Sequence, residues 1–396
     1  MKTLIKNARV VLLDEVIHGW LLFEDNRILT LGAGAWDGAE QEIEVIDAQG
    51  DYLSPGFIEL HTHGAGGADF MDPSPGSIIQ AAKTHLAHGT TTLLPTSGAA
   101  PIDRMLKYLE TFQAAKKAMD HGPNLPGVHL EGPYFSFEQK GAIDERYIRN
   151  PDPEEYRMLC DYAQGAIARW SIAPELPGGL EMGDYLSQKG ILPTIGHSNA
   201  EYSQVLEAYR HGYTHMTHLY SGMSTIVRRS GFRYPGVIES AYILENMTVE
   251  VIADGCHLPV EMLKMVWKTK GPGKVCLVCD SMKCAGVEVK ESTLMGNREG
   301  GKMVLIEDGV AKLPDRSAFA GSIATDDRMV RVMHQKVGAP IYDCVRMMSD
   351  TPAKVMGFSS KGRIAPGMDA DLVLFDNDIK IKRVFIGGKS CFPECE

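Results

Sequence analysis

Long apolar runs are missing from this sequence. Among its 396 residues no stretch reaches the ~18 consecutive apolar residues that a bilayer-crossing helix requires. The opening MKTLIKNARV also lacks the apolar centre and small-residue cleavage site of a secretory leader. The expectation is a cytoplasmic protein with no membrane partner. Positive charge is scarce as well: 40 Lys and Arg face 51 Asp and Glu, for a formal net charge of −11. Phosphate backbones and anionic lipids are bound through surplus Lys and Arg, so nucleic acid is excluded as the expected partner and a small molecule is favoured. Eight cysteines are too few for a secreted disulfide framework, and several sit inside apolar runs, as buried thiols do. Internal repeats and low-complexity segments are absent.

What is present is the composition of an ordinary globular protein, 44% hydrophobic and 23% charged. The first fifty residues, in "TLIKNARVVL" and "HGWLLFEDNRILTLG", are short β-branched runs cut by Asp, Asn and Gly, the texture of hairpins. The C-terminal "DADLVLFDNDIKIKRVFIGGKS" repeats that texture. The two chain ends are therefore expected to build one small β-sandwich domain, residues 1–53 plus 360–396. Between them eight strand-length apolar runs alternate with helical stretches such as "PGSIIQAAKTHLAHG" and "NAEYSQVLEAYRHG". The runs are "GFIELHTH", "TTTLLPTS", "PGVHLEGP", "ARWSIAPE", "ILPTIGHS", "THMTHLY", "VEVIADG" and "KVCLVCDS". Such alternation means parallel strands, and eight of them predict an α/β fold, a closed (β/α)8 TIM barrel, over residues 54–359. A β-hairpin insertion is expected near 302–320.

The polar residues decide where the chemistry lies. In most of the eight runs a His, Glu or Asp comes at the C-terminal end, the face where barrel enzymes build their sites. His61 and His63 are two apart on a strand and share a face. Alone that pair is a weak signal, but other strand ends add Glu131, His197, His218 and Asp280. Imidazole nitrogens and carboxylate oxygens suit a borderline divalent ion such as Zn or Fe, and the absence of a Cys ligand leaves a position for water. In "CLVC", Cys276 and Cys279 would point to opposite faces of a strand and read as barrel packing. "GPGK" lacks a complete phosphate-loop pattern and reads as a turn. His85 and His88, three apart on a helix without a third ligand, read as surface residues.

The series "PGFIELHTHG", "HLEGPY", "GHS", "THLY", "IADGCH", "CDS", "FAGSIATDDRMVR" and "GRIAPGMDADLVLFD" resembles the N-acetylglucosamine-6-phosphate deacetylases of the amidohydrolase superfamily, in order and over nearly the whole chain. The resemblance implies metal ligation by Glu131, His197 and His218, with Asp280 as the catalytic proton carrier. It also implies a second ion on His61 and His63 where that pair is kept, so one or two ions per chain, with Glu131 as the bridge between two. The activity implied is hydrolysis of the acetamide of N-acetylglucosamine 6-phosphate to glucosamine 6-phosphate and acetate. His257 would touch the sugar, backbone N–H groups of Ser221 and Gly222 the phosphate, and Arg233 the phosphate, often across a homodimer.

Three departures bear on the substrate. "LYSGM" stands where the family commonly reads "LYNAM". The loop before Arg233 is lengthened and adds Arg228 and Arg229. In "KGAID", the substrate-side segment holding Ala142, the family's polar side chain is replaced by Ile143, followed by Asp144. Two other readings follow: an amidohydrolase for a different amide (another acetamido sugar, a cyclic imide or an N-acyl amino acid), and a barrel that has lost catalysis and serves as an assembly subunit. Acetate release from a small amide panel separates the first of these from the sugar-phosphate deacetylase, which makes the inactive subunit the third reading in all. The retained ligand positions speak against the third.

Overall fold

The computed structural model describes residues 1–288, 291–296 and 301–393. All eight expected runs are strands: Phe57–Thr62, Thr90–Ser97, Val128–Glu131, Ile167–Ile172, Leu192–Ile195, His215–Met216, Thr248–Ile252 and Val275–Val278. They lie side by side in chain order, each parallel to the next. Between the eighth strand and the first the ladder gives way to individual bonds. Asp280 N–H donates to His61 O at 2.9 Å and His63 N–H to Ser281 O at 2.8 Å. The Glu59 carboxylate accepts from His61 N–H at 2.7 Å and Cys279 N–H at 2.8 Å. Buried backbone donors need acceptors, and here one side chain serves two strands. This seam draws the end of the eighth strand against the first histidine pair.

The two chain ends share a sheet. Leu372–Phe375 pairs antiparallel with Tyr52–Pro55, which runs parallel to the opening strand Lys2–Val11. Only Gly56 separates Tyr52–Pro55 from the first barrel strand, so the sheet feeds directly into the barrel. Ile58, Leu60, Leu94, Ile252, Cys276 and Val278, from four barrel strands, pack in one cluster, whereas Cys279 belongs to the larger core shared with the helices. The two thiols of "CLVC" are thus divided between clusters, as strand alternation requires. Helix Tyr202–Arg210 opens on a reciprocal cap in which Glu201 N–H donates to Gln204 Oε1 at 2.9 Å.

Two expectations need correction. Strands Lys302–Glu307 and Val310–Lys312 make a hairpin, but Ser292–Met295 and Phe319–Ser322 flank it, so the insertion is a four-stranded antiparallel sheet. It is tied to the barrel where Ser322 N–H donates to Asp280 O at 2.9 Å. Nor are His85 and His88 surface residues. Helix Pro75–Ala87 turns His85 inward with Ile78, Ala81, Ala82 and Leu86, and His85 is wholly buried, its Nε2 3.0 Å from Thr62 Oγ1. His88 is half-buried and its Nδ1 lies 3.0 Å from Asp327 Oδ1.

Candidate active site

The polar strand ends converge. Glu131 touches all four histidines: its Oε1 is 3.1 Å from His218 Nε2, 3.4 Å from His197 Nε2 and 3.4 Å from His61 Nε2, and its Oε2 is 3.2 Å from His63 Nε2. Asp280 Oδ1 is 3.3 Å from His63 Nε2 and 3.5 Å from His61 Nε2. Two sets of metal-ligand type result, His61–His63–Asp280 and Glu131–His197–His218, each with its donor atoms within 4.8 Å of one another. The strands alone do not aim these groups. His197, His218 and Asp280 have φ of 47°, 30° and 44°, in the left-handed region that non-glycine residues rarely occupy. Strain of this kind persists where the surroundings impose it, commonly at functional sites. Gly222 has a separate reason to be glycine: a Cβ there would lie 2.6 Å from His197 Nδ1.

A wholly buried charged layer orients these histidines from below. Glu250 Oε2 is 3.2 Å from His61 Nδ1 and accepts from His218 N–H at 3.2 Å. Glu250 Oε1 is bound by the Arg169 guanidinium and lies 3.3 Å from His215 Nε2. With Nδ1 held by Glu250, His61 Nε2 faces the site, where it is buried without a hydrogen-bond partner. His197 Nδ1 donates to Gln139 O at 2.8 Å, which likewise frees its Nε2.

Electrostatics favours a cation here. Burial opposes charge on His61, but Asp280 and Glu131 outweigh it and raise the imidazole to about 9. Burial likewise resists ionisation of Glu131, yet the surrounding imidazoles hold its carboxyl well below the usual range. Asp280 is lowered too, its burial overcome by His61 and His63.

Above the cluster opens a cavity of about 420 Å³. Its lining brings together His63, Glu131, His197, His218, Asp280, His257, Ala142, Ser221 and Gly222. His257 is fixed by Asp254, whose Oδ2 is 2.8 Å from its Nδ1. Burial raises the Asp254 carboxyl, but the His257 hydrogen bond wins and lowers it. The Ser221 N–H is already spent on His218 O at 2.9 Å. Arg233 does not line the cavity. It lies on an exposed hairpin, Val227–Arg229 with Phe232–Tyr234, opposite Arg228, and Arg229 pairs with Glu201. Among the described residues the cations that line the cavity are Arg104 and Lys302, and Phe319 lines it too; sequence reasoning missed all three. It also missed Arg169 and Glu250, although opposite charges inside the apolar runs "ARWSI" and "VEVIADG" were a readable signal.

Residues 52–391 match the amidohydrolase family over most of the chain. The chain belongs to that family. The N-acetylglucosamine-6-phosphate deacetylase of Bacillus subtilis (strain 168) is 32% identical over 395 residues, covering 98% of this chain and 97% of that protein. The N-acetylgalactosamine-6-phosphate deacetylase of Escherichia coli O157:H7 is 28% identical, covering 98% and 99%. The crystal structure of N-acetylglucosamine-6-phosphate deacetylase from Pasteurella multocida superposes on this amidohydrolase with a TM-score of 0.90 at 29% identity, covering 98% of this chain and 99% of the other.

Proposed function

We propose that this amidohydrolase removes the acetyl group of N-acetylglucosamine 6-phosphate in a metal-dependent hydrolysis, releasing acetate and glucosamine 6-phosphate. The observation that carries the reading is the convergence of Glu131, His63, His197, His218 and Asp280 on one cavity, with the wholly buried His61 in contact with Glu131 and Asp280, in a chain aligned end to end with deacetylases of that substrate. The donors fit a divalent ion: unsaturated nitrogens and carboxylates, with the His61 Nε2 buried and without a hydrogen-bond partner. Glu131, His197 and His218 would hold one ion, and His61 and His63 a second with Glu131 between them. Zn and Fe suit such donors.

A divalent ion held there lowers the pKa of a water toward neutrality and polarises the amide carbonyl. The chain's own residues do the rest. Asp280 accepts the proton of the attacking water as the C–O bond forms, then returns it to the sugar nitrogen as the C–N bond breaks. His257, pinned by Asp254, stands at the cavity wall to orient the sugar. Ala142 and Ile143 give the acyl end an apolar wall. The phosphate is met by the N–H of Gly222 and by Arg233 from a second copy of the chain, because Arg233 does not reach its own cavity. Homodimer formation is part of this reading, supported by the exposed Val227, Phe232 and Tyr234 on the Arg233 hairpin. A cytoplasmic location is likewise proposed, in keeping with an intracellular sugar phosphate; among the described residues no helix is long and apolar enough to cross a membrane.

The relative that acts on N-acetylgalactosamine 6-phosphate and the apolar Ile143 motivate a second reading, the epimeric sugar phosphate. Acetate release is to be measured on both phosphates and on free N-acetylglucosamine, before and after exhaustive chelation. Charge-assisted contacts to phosphate are each worth about 1.5–3 kcal/mol, so N-acetylglucosamine 6-phosphate should exceed the free sugar by at least about 10² in kcat/KM. Chelation should abolish turnover. Equal rates on free and phosphorylated sugar would refute the proposal, and a preference for the galacto epimer would establish the second reading.

A further inference from the structure

A third group of metal-ligand type lies outside the catalytic cavity, behind the seam between the first and eighth barrel strands. It comprises His85 from the helix Pro75–Ala87, Cys279 just past the eighth strand, and Asp326 from the first turn of the helix Asp326–Arg331. All three are wholly buried, and each offers a donor atom within 4.8 Å of the others. Glu59, also wholly buried, adjoins them: its Oε2 accepts the Cys279 N–H, and each carboxylate oxygen keeps a second lone pair.

The polar contacts within this group leave conspicuous gaps. Asp326 Oδ2 accepts the Thr90 hydroxyl, and His85 Nε2 is engaged by Thr62 Oγ1. Asp326 Oδ1 and His85 Nδ1 have no hydrogen-bond partner. Buried polar atoms are rarely left unpaired. Two carboxylates, Glu59 and Asp326, also meet here, and among the described residues neither forms an ion pair with a Lys or Arg. Like charges in such a setting cannot both ionise unless a cation is shared.

We propose that His85, Cys279, Asp326 and Glu59 form a structural metal site that takes one thiophilic divalent ion, zinc above all. With a Glu59 oxygen joining the three, one sulfur, one imidazole nitrogen and two carboxylate oxygens would leave no coordination position open, as in structural rather than catalytic zinc sites. The ion would replace the proton that the carboxylates otherwise need, and would clamp two helices to the barrel seam directly behind His61. Because all four side chains are wholly buried, it would enter during folding.

Sulfur separates this site from the catalytic one, whose ligands are all nitrogen and oxygen. The protein is to be produced in cobalt medium and its absorption spectrum recorded. A thiolate-to-cobalt charge-transfer band is expected in the wild type and in Cys256→Ser, and not in Cys279→Ser. Elemental analysis of the zinc-grown protein should show one ion fewer per chain in Cys279→Ser and in His85→Leu. A wild-type cobalt protein without that band overturns the proposal even if neither variant folds. So does a band that survives in Cys279→Ser, or an unchanged ion count in folded variants, which would mean that a shared proton alone joins Glu59 and Asp326. Turnover enters none of these readouts, so the deacetylase reading stands or falls separately.

Discussion

Asp280 shows what one residue owes to its setting. It follows the eighth strand, takes a left-handed backbone conformation, donates its N–H to His61 O and accepts from Ser322 N–H through its carbonyl. Its carboxylate is therefore held against His61 and His63 by bonds that do not involve the side chain. Replacement by Asn keeps the shape and removes the carboxylate that accepts the water's proton under the proposed function. Asp280→Asn should leave the circular dichroism spectrum and the Glu131–His197–His218 ion in place while lowering kcat by about 10² or more. The acidic limb of the pH–rate profile should disappear with it. Near-wild-type turnover would assign the proton transfer elsewhere. Asp280 was legible in the sequence as a strand-end carboxylate. Its contact with His61 was not, because the barrel seam that creates it joins residues more than two hundred positions apart.

Among the elements, the helix Asp326–Arg331 is held by charge as much as by packing. Asp327 Oδ1 meets His88 Nδ1 at 3.0 Å, and Asp327 Oδ2 accepts from Arg331 Nη2 at 2.7 Å. Burial depresses the His88 pKa, but the Asp327 hydrogen bond and charge prevail and hold it above its usual value. A group raised on folding stabilises the fold below its unfolded pKa, about 6.5 for histidine, and loses that contribution as pH rises through the folded value. The stability difference between wild type and His88→Asn should accordingly be larger at pH 6 than at pH 9, as read from urea midpoints. An equal difference at both pH values would show that His88 acts by packing alone. Helical spacing placed His85 and His88 on one face, but not which face. That depended on how the helix Pro75–Ala87 seats on the barrel, since a buried imidazole is tolerated only where a partner such as Thr62 or Asp327 meets it.

At the scale of the whole molecule, one chain lacks a complete phosphate site under the proposed function. Its Arg233 hairpin is exposed and stands apart from the cavity. Arg233→Ala should slow turnover of the phosphorylated sugar and leave the free sugar untouched. Mixed with Glu131→Ala chains, it should recover activity, because a mixed dimer pairs an intact metal cradle with an intact Arg233. Random pairing caps the recovery at about a quarter of the wild-type sites. No recovery in an exchanging mixture would place phosphate binding within one chain, with Arg104 and Lys302 of the cavity wall as its cations.

The sequence by itself determined the eight parallel strands, the sheet joining the chain ends, and the polar groups at the strand ends. Each follows from short-range rules: strand periodicity, turn residues, and the convergence of barrel strand ends on one face. Tertiary structure alone decided the rest. It brought Arg169 and Glu250 together under His61, placed Lys302 and Phe319 over the cavity, buried His85 beside Cys279 and Asp326, and kept Arg233 outside its own site. These are contacts between side chains on different elements. They depend on how the strands close and how the helices seat against them, and neither closure nor seating leaves a local pattern in the chain.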